Sequence, residues 1–283
     1  MIGPFRRFRV DERRQNISQC PADAPQSGLV RKVFPKGDKP HEKKNSHCSC
    51  SHVACAAREA GRQQENFPHV LPPHSAVAGK TLGEWSAVWW KWAYAIPAND
   101  NPLLDLSGQK SKFGDVGPVF FLAGLFNASG SVTRTVTIPA NKFIFFPLEN
   151  LVNDNVGVSP RQTIDTLVSQ IDAALPGVTA LHASIDGREV GDLLSHREAA
   201  PVFSYTLQLT DNLQQVVNGI TTPDATGTVF PAVADGYYLM LRPLPAGQHV
   251  IKFGGVLFGG ALDVTYQVSV TSTRSIEPVV LVP

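Results

Sequence analysis

From Leu262 to Val270 apolar and polar residues alternate without interruption, Leu262, Val264, Tyr266, Val268 and Val270 against Asp263, Thr265, Gln267 and Ser269. Successive side chains of a strand point to opposite faces, so a sustained period of two specifies an extended segment with one face in a core and the other in water. Such a strand needs neighbours along its edges and a second layer over its apolar face. The chain supplies candidates: VFFLAGLF (119–126), SVTRTVTI (131–138), KFIFFPL (142–148), VTALHASI (178–185), VFSYTLQL (202–209), GYYLMLR (236–242) and HVIKFGGVLF (249–258) are short and rich in aromatic and β-branched residues. Turn residues punctuate them, as in NASG, PAN, Asp186-Gly187 and PLPAGQH. The first three read as consecutive antiparallel strands. GYYLMLR, apolar at nearly every position, is expected to be central, and residues 262–270 to form a half-buried antiparallel strand. The predicted fold class is mainly β, an antiparallel β-sandwich or jelly-roll-like core with two helices packed on it.

The first helix carries all four tryptophans of the chain, Trp85, Trp89, Trp90 and Trp92. Thr81 and Glu84 form the T-x-x-E of a capping box, and Pro97 ends the segment, which predicts a helix from about Leu82 to Ala95. Trp85, Trp89 and Trp92 fall at i, i+4 and i+7 and are expected to pin the helix to a sheet, with Trp90 turned aside toward the surface. The second helix is read from a cap at Ser159-Pro160 and from Ile164, Leu167, Val168, Ile171 and Leu175 at helical spacing, up to Pro176. Asp165, Gln162 and Asp172 are expected on its outer side.

The net charge of +1 hides an uneven division. Residues 1–75 carry 13 Lys and Arg against 7 Asp and Glu, and the remainder carries 12 against 17. Clustered positive charge attracts phosphate, but the scattered prolines and weak apolar periodicity of residues 1–75 predict a disordered basic leader, with no nucleic-acid partner. Residues 76–272 are expected to form one domain and 273–283 a tail. All four cysteines, Cys20, Cys48, Cys50 and Cys55, lie in the leader at a spacing that matches no common zinc motif. The domain therefore has neither a disulfide framework nor a thiol nucleophile. No apolar run is long enough to cross a bilayer, and no apolar h-region follows the first charged residues.

Several chemistries lack their signatures: there is no G-x-S-x-G elbow, no H-E-x-x-H and no G-x-G-x-x-G opening a helix. Gly79-Lys80-Thr81 imitates the end of a P-loop, but the first glycine of that motif is replaced by His74. The most suggestive polar group is ENLVNDN, read as a loop after the apolar strand. There Glu149, Asn150, Asn153 and Asp154 are hard oxygen donors of the kind that hold a calcium-type divalent cation; the alternative is that they cap the strand and begin a turn. Asp235-Gly236, like Asp186-Gly187, is read as a tight turn. His249 and Asp263 are the candidate catalytic pair, His249 because it shares a strand face with Ile251 and Phe253. Trp90, Asp100, Asp105 and Arg134 are candidate ligand-binding residues. Arg134, on the apolar face of its strand, requires a carboxylate or carbonyl partner.

The segments WWKWAYAIPANDNPLLD, GPVFFLAGLF, TRTVTIPANKFIFFPLEN, IDGREVGDL and DGYYLMLRPLPAGQHVIKFGG, taken as a set, resemble a family of bacterial hypothetical proteins, mostly exported, with a tryptophan-rich helix, a G-P-V-x-F-L-A-G strand and a proline-rich turn before the closing strands. The likeness spans roughly residues 80–271. It implies a shared fold unit and an extracytoplasmic location, and it carries no catalytic residues. Two functions are expected from different classes. One is a non-catalytic sandwich binding a small molecule, a carbohydrate or a cell-surface component through an exposed aromatic strip. The other is a hydrolase of small esters or lactones, in which a cation on Glu149, Asn153 and Asp154 polarises a carbonyl.

Overall fold

The computed structural model describes residues 69–126 and 129–272; the cysteines of the expected leader and the expected tail lie outside the described residues. The elements run β1 (Ala76–Val77), β2 (Lys80–Thr81), α1 (Leu82–Ala95), β3 (Asp115–Val116), β4 (Val119–Phe121), β5 (Gly130–Pro139) and β6 (Phe143–Asp154). They continue with α2 (Ile164–Ala174), β7 (Thr179–Ile185), β8 (Arg188–Glu189), β9 (Arg197–Ala199), β10 (Phe203–Leu207) and α3 (Leu213–Val216). Three long strands close the fold: β11 (Gly227–Leu241), β12 (Gly247–Leu257) and β13 (Gly260–Thr271).

Two sheets form a sandwich. One is six-stranded, with order β10-β11-β6-β4-β3 and β9 also paired to β11. The other is five-stranded, with order β5-β13-β12-β7-β8. Between them lies an apolar core in which Ile144, Phe146, Leu148, Leu239 and Leu241 meet Ile251, Phe253, Val264, Tyr266 and Val268. The Phe146 and Phe253 rings approach to 4.6 Å between centroids. A second core occupies the opposite face of the six-stranded sheet, where Phe145, Tyr238 and Met240 pack against Trp85, Trp89, Trp90 and Tyr94 of α1. The protein is thus mainly β, and the six-stranded sheet is covered on both sides. That is why β6 and β11 read as nearly continuous apolar runs.

The expected meander of 119–148 is corrected by this layering. β4 and β6 are parallel neighbours in the six-stranded sheet, whereas β5 crosses to the other sheet and pairs in parallel with β13. Alternation distinguishes them: β5 has one buried and one solvent face, while β4 and the first half of β6 are buried on both. β13 is half-buried as its alternation requires, with an antiparallel partner, β12, on one edge and a parallel one, β5, on the other. Asp235-Gly236 is not a turn but the middle of β11. Asp186 and Gly187 do form a hairpin turn, at φ 53° and 77°, joining β7 to β8.

α1 has its expected bounds and a complete capping box, with Thr81 N donating to Glu84 Oε2 at 2.7 Å and Glu84 N to Thr81 Oγ1 at 3.2 Å. Its buried arc is wider than one stripe. Trp90 is buried at 3% exposure and Trp92 is the half-buried indole, the reverse of the expectation, because Phe126 packs on Trp90 and the turn at 111–114 only partly covers Trp92. α2 begins later than expected and is capped by Thr163, not Ser159. Leu167, Ile171 and Leu175 close one end of the inter-sheet core, while Ile164 and Val168 stay exposed. The expected boundary at residue 76 falls inside the fold: Val70 bridges Leu241, and Leu71 N donates to Met240 O at 2.8 Å.

Candidate functional site

β6 carries ENLVNDN as strand, not loop, and the pleat divides its polar residues between the two cores. Glu149 and Asn153 follow Phe146 and Leu148 toward the inter-sheet side, and Asn150 and Asp154 turn toward α1. Four side chains divided between opposite faces of one strand cannot surround one cation, which corrects the expected metal set. Among the described residues no group of three or more His, Cys, Asp or Glu is placed to hold a metal ion. Asn153 Nδ2 instead donates to Gln170 Oε1 at 2.6 Å and to Leu167 O at 3.2 Å, tying β6 to α2.

Asp154 anchors a buried network that the sequence reading missed. Its Oδ2 accepts the Tyr205 hydroxyl at 2.7 Å and Gln214 Nε2 at 3.2 Å, and its Oδ1 accepts Val156 N at 2.7 Å. Asn218 Nδ2 donates onward to Gln214 Oε1 at 2.8 Å, and the Tyr205 ring stacks on Tyr94 at 4.1 Å. Burial, with the charge of Asp154, raises the Tyr205 phenol above its ordinary pKa, so it stays a donor. These hydrogen bonds commit the network to holding β6, β10 and α3 together.

Glu149 differs. It makes no ion pair or hydrogen bond among the described residues, and burial pushes its carboxyl up to about 7. It sits half-buried on the rim of the inter-sheet core. Across the layer stands Gly255, where a Cβ would come within 2.9 Å of both Glu149 Cγ and Leu181 Cδ2, so a larger residue there would have to displace one of them. Leu151 follows Glu149 on the same face of β6, and Leu257 follows Gly255 on β12; with Leu181 they are partly buried against the core. The surroundings are those of an apolar rim with one unpaired acid.

On the α1 side, Asn150 Nδ2, Trp90 Nε1 and the Tyr238 hydroxyl are sealed from solvent together. Asn150, Trp90 and Ser86 all turn hydrogen-bonding groups on the Tyr238 oxygen, so this buried cluster serves itself, while burial holds the phenol above its ordinary pKa. Beside them, Glu198 of β9 stands opposite Gly236 and accepts His74 N at 2.7 Å. The one signal in the sequence was a tyrosine at the centre of GYYLML, since a phenol in a strand buried on both faces needs a partner.

The other expected site residues do not converge. His249 Nδ1 faces Asp186 Oδ2 at 2.8 Å and its Nε2 faces Pro245 O at 2.9 Å. Both partners are acceptors, so only the doubly protonated ring makes both bonds, and in that form neither nitrogen can serve as a base. Asp263 lies elsewhere on the exposed face of the five-stranded sheet, 3.6 Å from His182 Nε2. His249 is registered with Val268, five residues along β13 from Asp263, which removes the expected catalytic pair. Asp105 is consumed by its own loop, accepting Ser107 N at 2.8 Å, Ser107 Oγ at 2.6 Å and Lys110 N at 2.8 Å. Against the opposing effect of burial, these bonds hold its carboxyl below the usual range. Asp100 is exposed, and its carboxylate makes no hydrogen bond or ion pair among the described residues.

Arg134 is 1% exposed and finds carbonyls, as its position demanded. It donates to Asp105 O, Ala123 O and Gly124 O and to the Tyr266 hydroxyl, with no carboxylate in the set. It is a structural pin, not a ligand contact. Trp90, expected at the surface, offers no stacking face to a sugar ring.

No model of a known protein family matches the chain, and no curated protein matches it. Among solved structures, the cysteine protease inhibitor EhICP2 from Entamoeba histolytica is similar at 15% identity over 50% of this chain and 88% of that one, with a TM-score of 0.18. A superposition this loose carries no argument about the fold or the function.

Proposed function

We propose that the protein is a non-catalytic binding protein for a small, largely apolar molecule bearing a protonated amine, seated on the rim of the inter-sheet core against Glu149. One observation carries this reading: a carboxyl beside Leu181 and Gly255, on the face that also holds Leu151 and Leu257, that has no ionic or hydrogen-bonding partner among the described residues. An unpaired acid in apolar surroundings costs free energy that an incoming cation offsets, while the leucines favour an alkyl body. The binding reading is preferred to the ester hydrolase because the latter needs Glu149, Asn153 and Asp154 to converge, and the pleat of β6 separates them. A carbohydrate stacked on exposed tryptophan loses its support, since three of the four indoles are buried and Trp92 is half-buried.

Isothermal titration with n-alkylamines of increasing chain length tests it. Affinity is expected to rise with each methylene and to fall about tenfold or more in Glu149→Gln, the loss of one charge-assisted contact. Equal affinity of wild type and Glu149→Gln for the same amines, or no binding by either, overturns it.

A further inference from the structure

We infer that Asn218-Gly219 is a site of spontaneous chemical modification, at which the Asn218 side chain converts to aspartate and isoaspartate and so withdraws the donor that holds Gln214 in the Asp154 network. The pair lies just after α3, and the inference does not depend on what Glu149 binds.

An asparagine amide is lost when the main-chain nitrogen of the next residue attacks its Cγ, which asks for an unbonded N–H and for no side chain beside it. The other described asparagines supply the controls. The nitrogens that follow Asn99, Asn141, Asn153 and Asn155 are each engaged: Asp100 N donates to Pro97 O at 3.0 Å, Lys142 N to Pro139 O at 3.2 Å, Asp154 N to Asn153 Oδ1 at 3.1 Å and Val156 N to Asp154 Oδ1 at 2.7 Å. Asn101 precedes a proline, and Asn150 and Asn212 precede branched leucines. Among the described asparagines Asn218 alone precedes a glycine. Gly219 N makes no hydrogen bond among the described residues. Its φ is +64°, and apart from its chain neighbours no atom lies within 4 Å of where a Cβ would stand. Gly219 is exposed and Asn218 half-buried, beyond a helix of 4 residues, a segment that opens at little cost.

The reaction balances with water alone as co-reactant. A base in solvent takes the Gly219 N–H proton, the N–Cγ bond forms, the Cγ–Nδ2 bond breaks and ammonia leaves with a proton, which closes a cyclic imide. Water then opens the ring. Addition at Cγ gives aspartate, and addition at the Asn218 main-chain carbonyl gives isoaspartate, whose backbone is longer by a methylene.

What the fold loses is specific. Asn218 Nδ2 donates to Gln214 Oε1 at 2.8 Å, which turns Gln214 Nε2 toward Asp154 Oδ2 and the Tyr205 hydroxyl, each at 3.2 Å. An aspartate puts an acceptor where that donor stood. Gln214 can satisfy it only by swinging Nε2 away from Asp154, and its Oε1 would then face a buried carboxylate. The new carboxylate also adds negative charge on the side of Asp154, and isoaspartate shifts the backbone that follows α3. Asn218 thus acts as a clock on the tie between β6, β10 and α3.

The experiment ages the full chain at pH 6 and pH 8 and follows each asparagine by peptide mass mapping, with enzymatic methylation to count isoaspartate. Conversion is expected at Asn218 ahead of every other described asparagine, faster at pH 8 and with isoaspartate in the product. Gly219→Ala, which crowds the attack, is expected to slow it about tenfold. Amide exchange in α3 is expected to be faster in aged protein and in fresh Asn218→Asp than in fresh wild type, and to change little on ageing in Gly219→Ala. An Asn218 that persists while another described asparagine converts, an equal rate in Gly219→Ala and wild type, or α3 exchange that is the same in fresh and converted protein overturns the inference.

Discussion

Arg134 of β5 grips the carbonyl oxygen of Asp105 with two nitrogens, Nε at 3.0 Å and Nη2 at 2.8 Å. The loop that offers this carbonyl lies so close over the arginine that a Cβ at Gly108, whose φ is +81°, would fall 2.8 Å from Arg134 Cβ. Tyr266 beside it donates to Ala123 O at 3.0 Å and accepts Ala123 N at 3.1 Å. Together they join the edge of the five-stranded sheet to the segment that leads out of β4. Replacing Arg134 by Met takes the arginine's donors from the buried carbonyls of Asp105 and Gly124, while Ala123 O keeps Tyr266, and a loss of about 3–5 kcal/mol is expected. Lysine, which cannot form the planar fork, is expected to recover less than half. Urea unfolding of both variants checks this; a loss within the ±0.5 kcal/mol of an ordinary surface substitution would mean the pin is dispensable.

Glu149 predicts a pH dependence of known sign. Its folded pKa, about 7, lies above the ordinary glutamate value, so the folded state holds its proton longer than the unfolded chain. The associated stability is fully present below the ordinary value, near 4.5, and is lost as pH rises through about 7. Glu149→Gln, which cannot ionise, is expected to be more stable than wild type at pH 8 by ~1–3 kcal/mol, allowing for solvent at the rim, and nearly equal to it at pH 4. Parallel stability curves for the two proteins across that interval would contradict the assignment.

His249 acts through a different pair of contacts. Although partial burial opposes it, the Asp186 carboxylate and the Pro245 carbonyl raise the imidazolium pKa above its ordinary 6.5. The clamp between the β7–β8 turn and the start of β12 is therefore complete below that value and is lost as pH rises through the raised one. Substituting His249 by Gln is expected to lower the melting temperature at pH 6 and to matter progressively less toward pH 9. Equal effects at both ends would show that the ring contributes packing alone.

The Asp154 network predicts a local collapse of order. Tyr205→Phe deletes the 2.7 Å bond to Asp154 Oδ2 and weakens the set of donors, Gln214 and Val156 among them, that holds a buried carboxylate. A cost of about 1–3 kcal/mol is expected, with faster amide exchange in α3, whose Gln214 leans on the same oxygen. Exchange faster throughout the protein, with none of the excess in α3, would indicate that the network does not anchor that helix.

What the amino-acid order determined by itself was whatever a local rule could express. The alternation at 262–270 is a strand because no other conformation sends every second side chain to one side. Thr81, Glu84 and Pro97 bound α1 because a capping box and a proline act within a few residues. Asp186-Gly187 turns because both residues tolerate positive φ. The need of Arg134 for a carbonyl followed from its place on an apolar face.

Tertiary structure decided what depends on a second layer. Whether Trp90 or Trp92 meets solvent is set by Phe126 and the 111–114 turn, which lie well beyond the helix in sequence and are invisible to helical periodicity. ENLVNDN is strand because β11 pairs with it, and pairing outweighs the loop preference of Asn and Asp. That same pairing sends Glu149 and Asn150 to opposite cores, so the residues that looked like one cluster are two, with different neighbours. The physical reason is general to sheets: side-chain direction alternates with every residue, and only the partner strands say which side is filled.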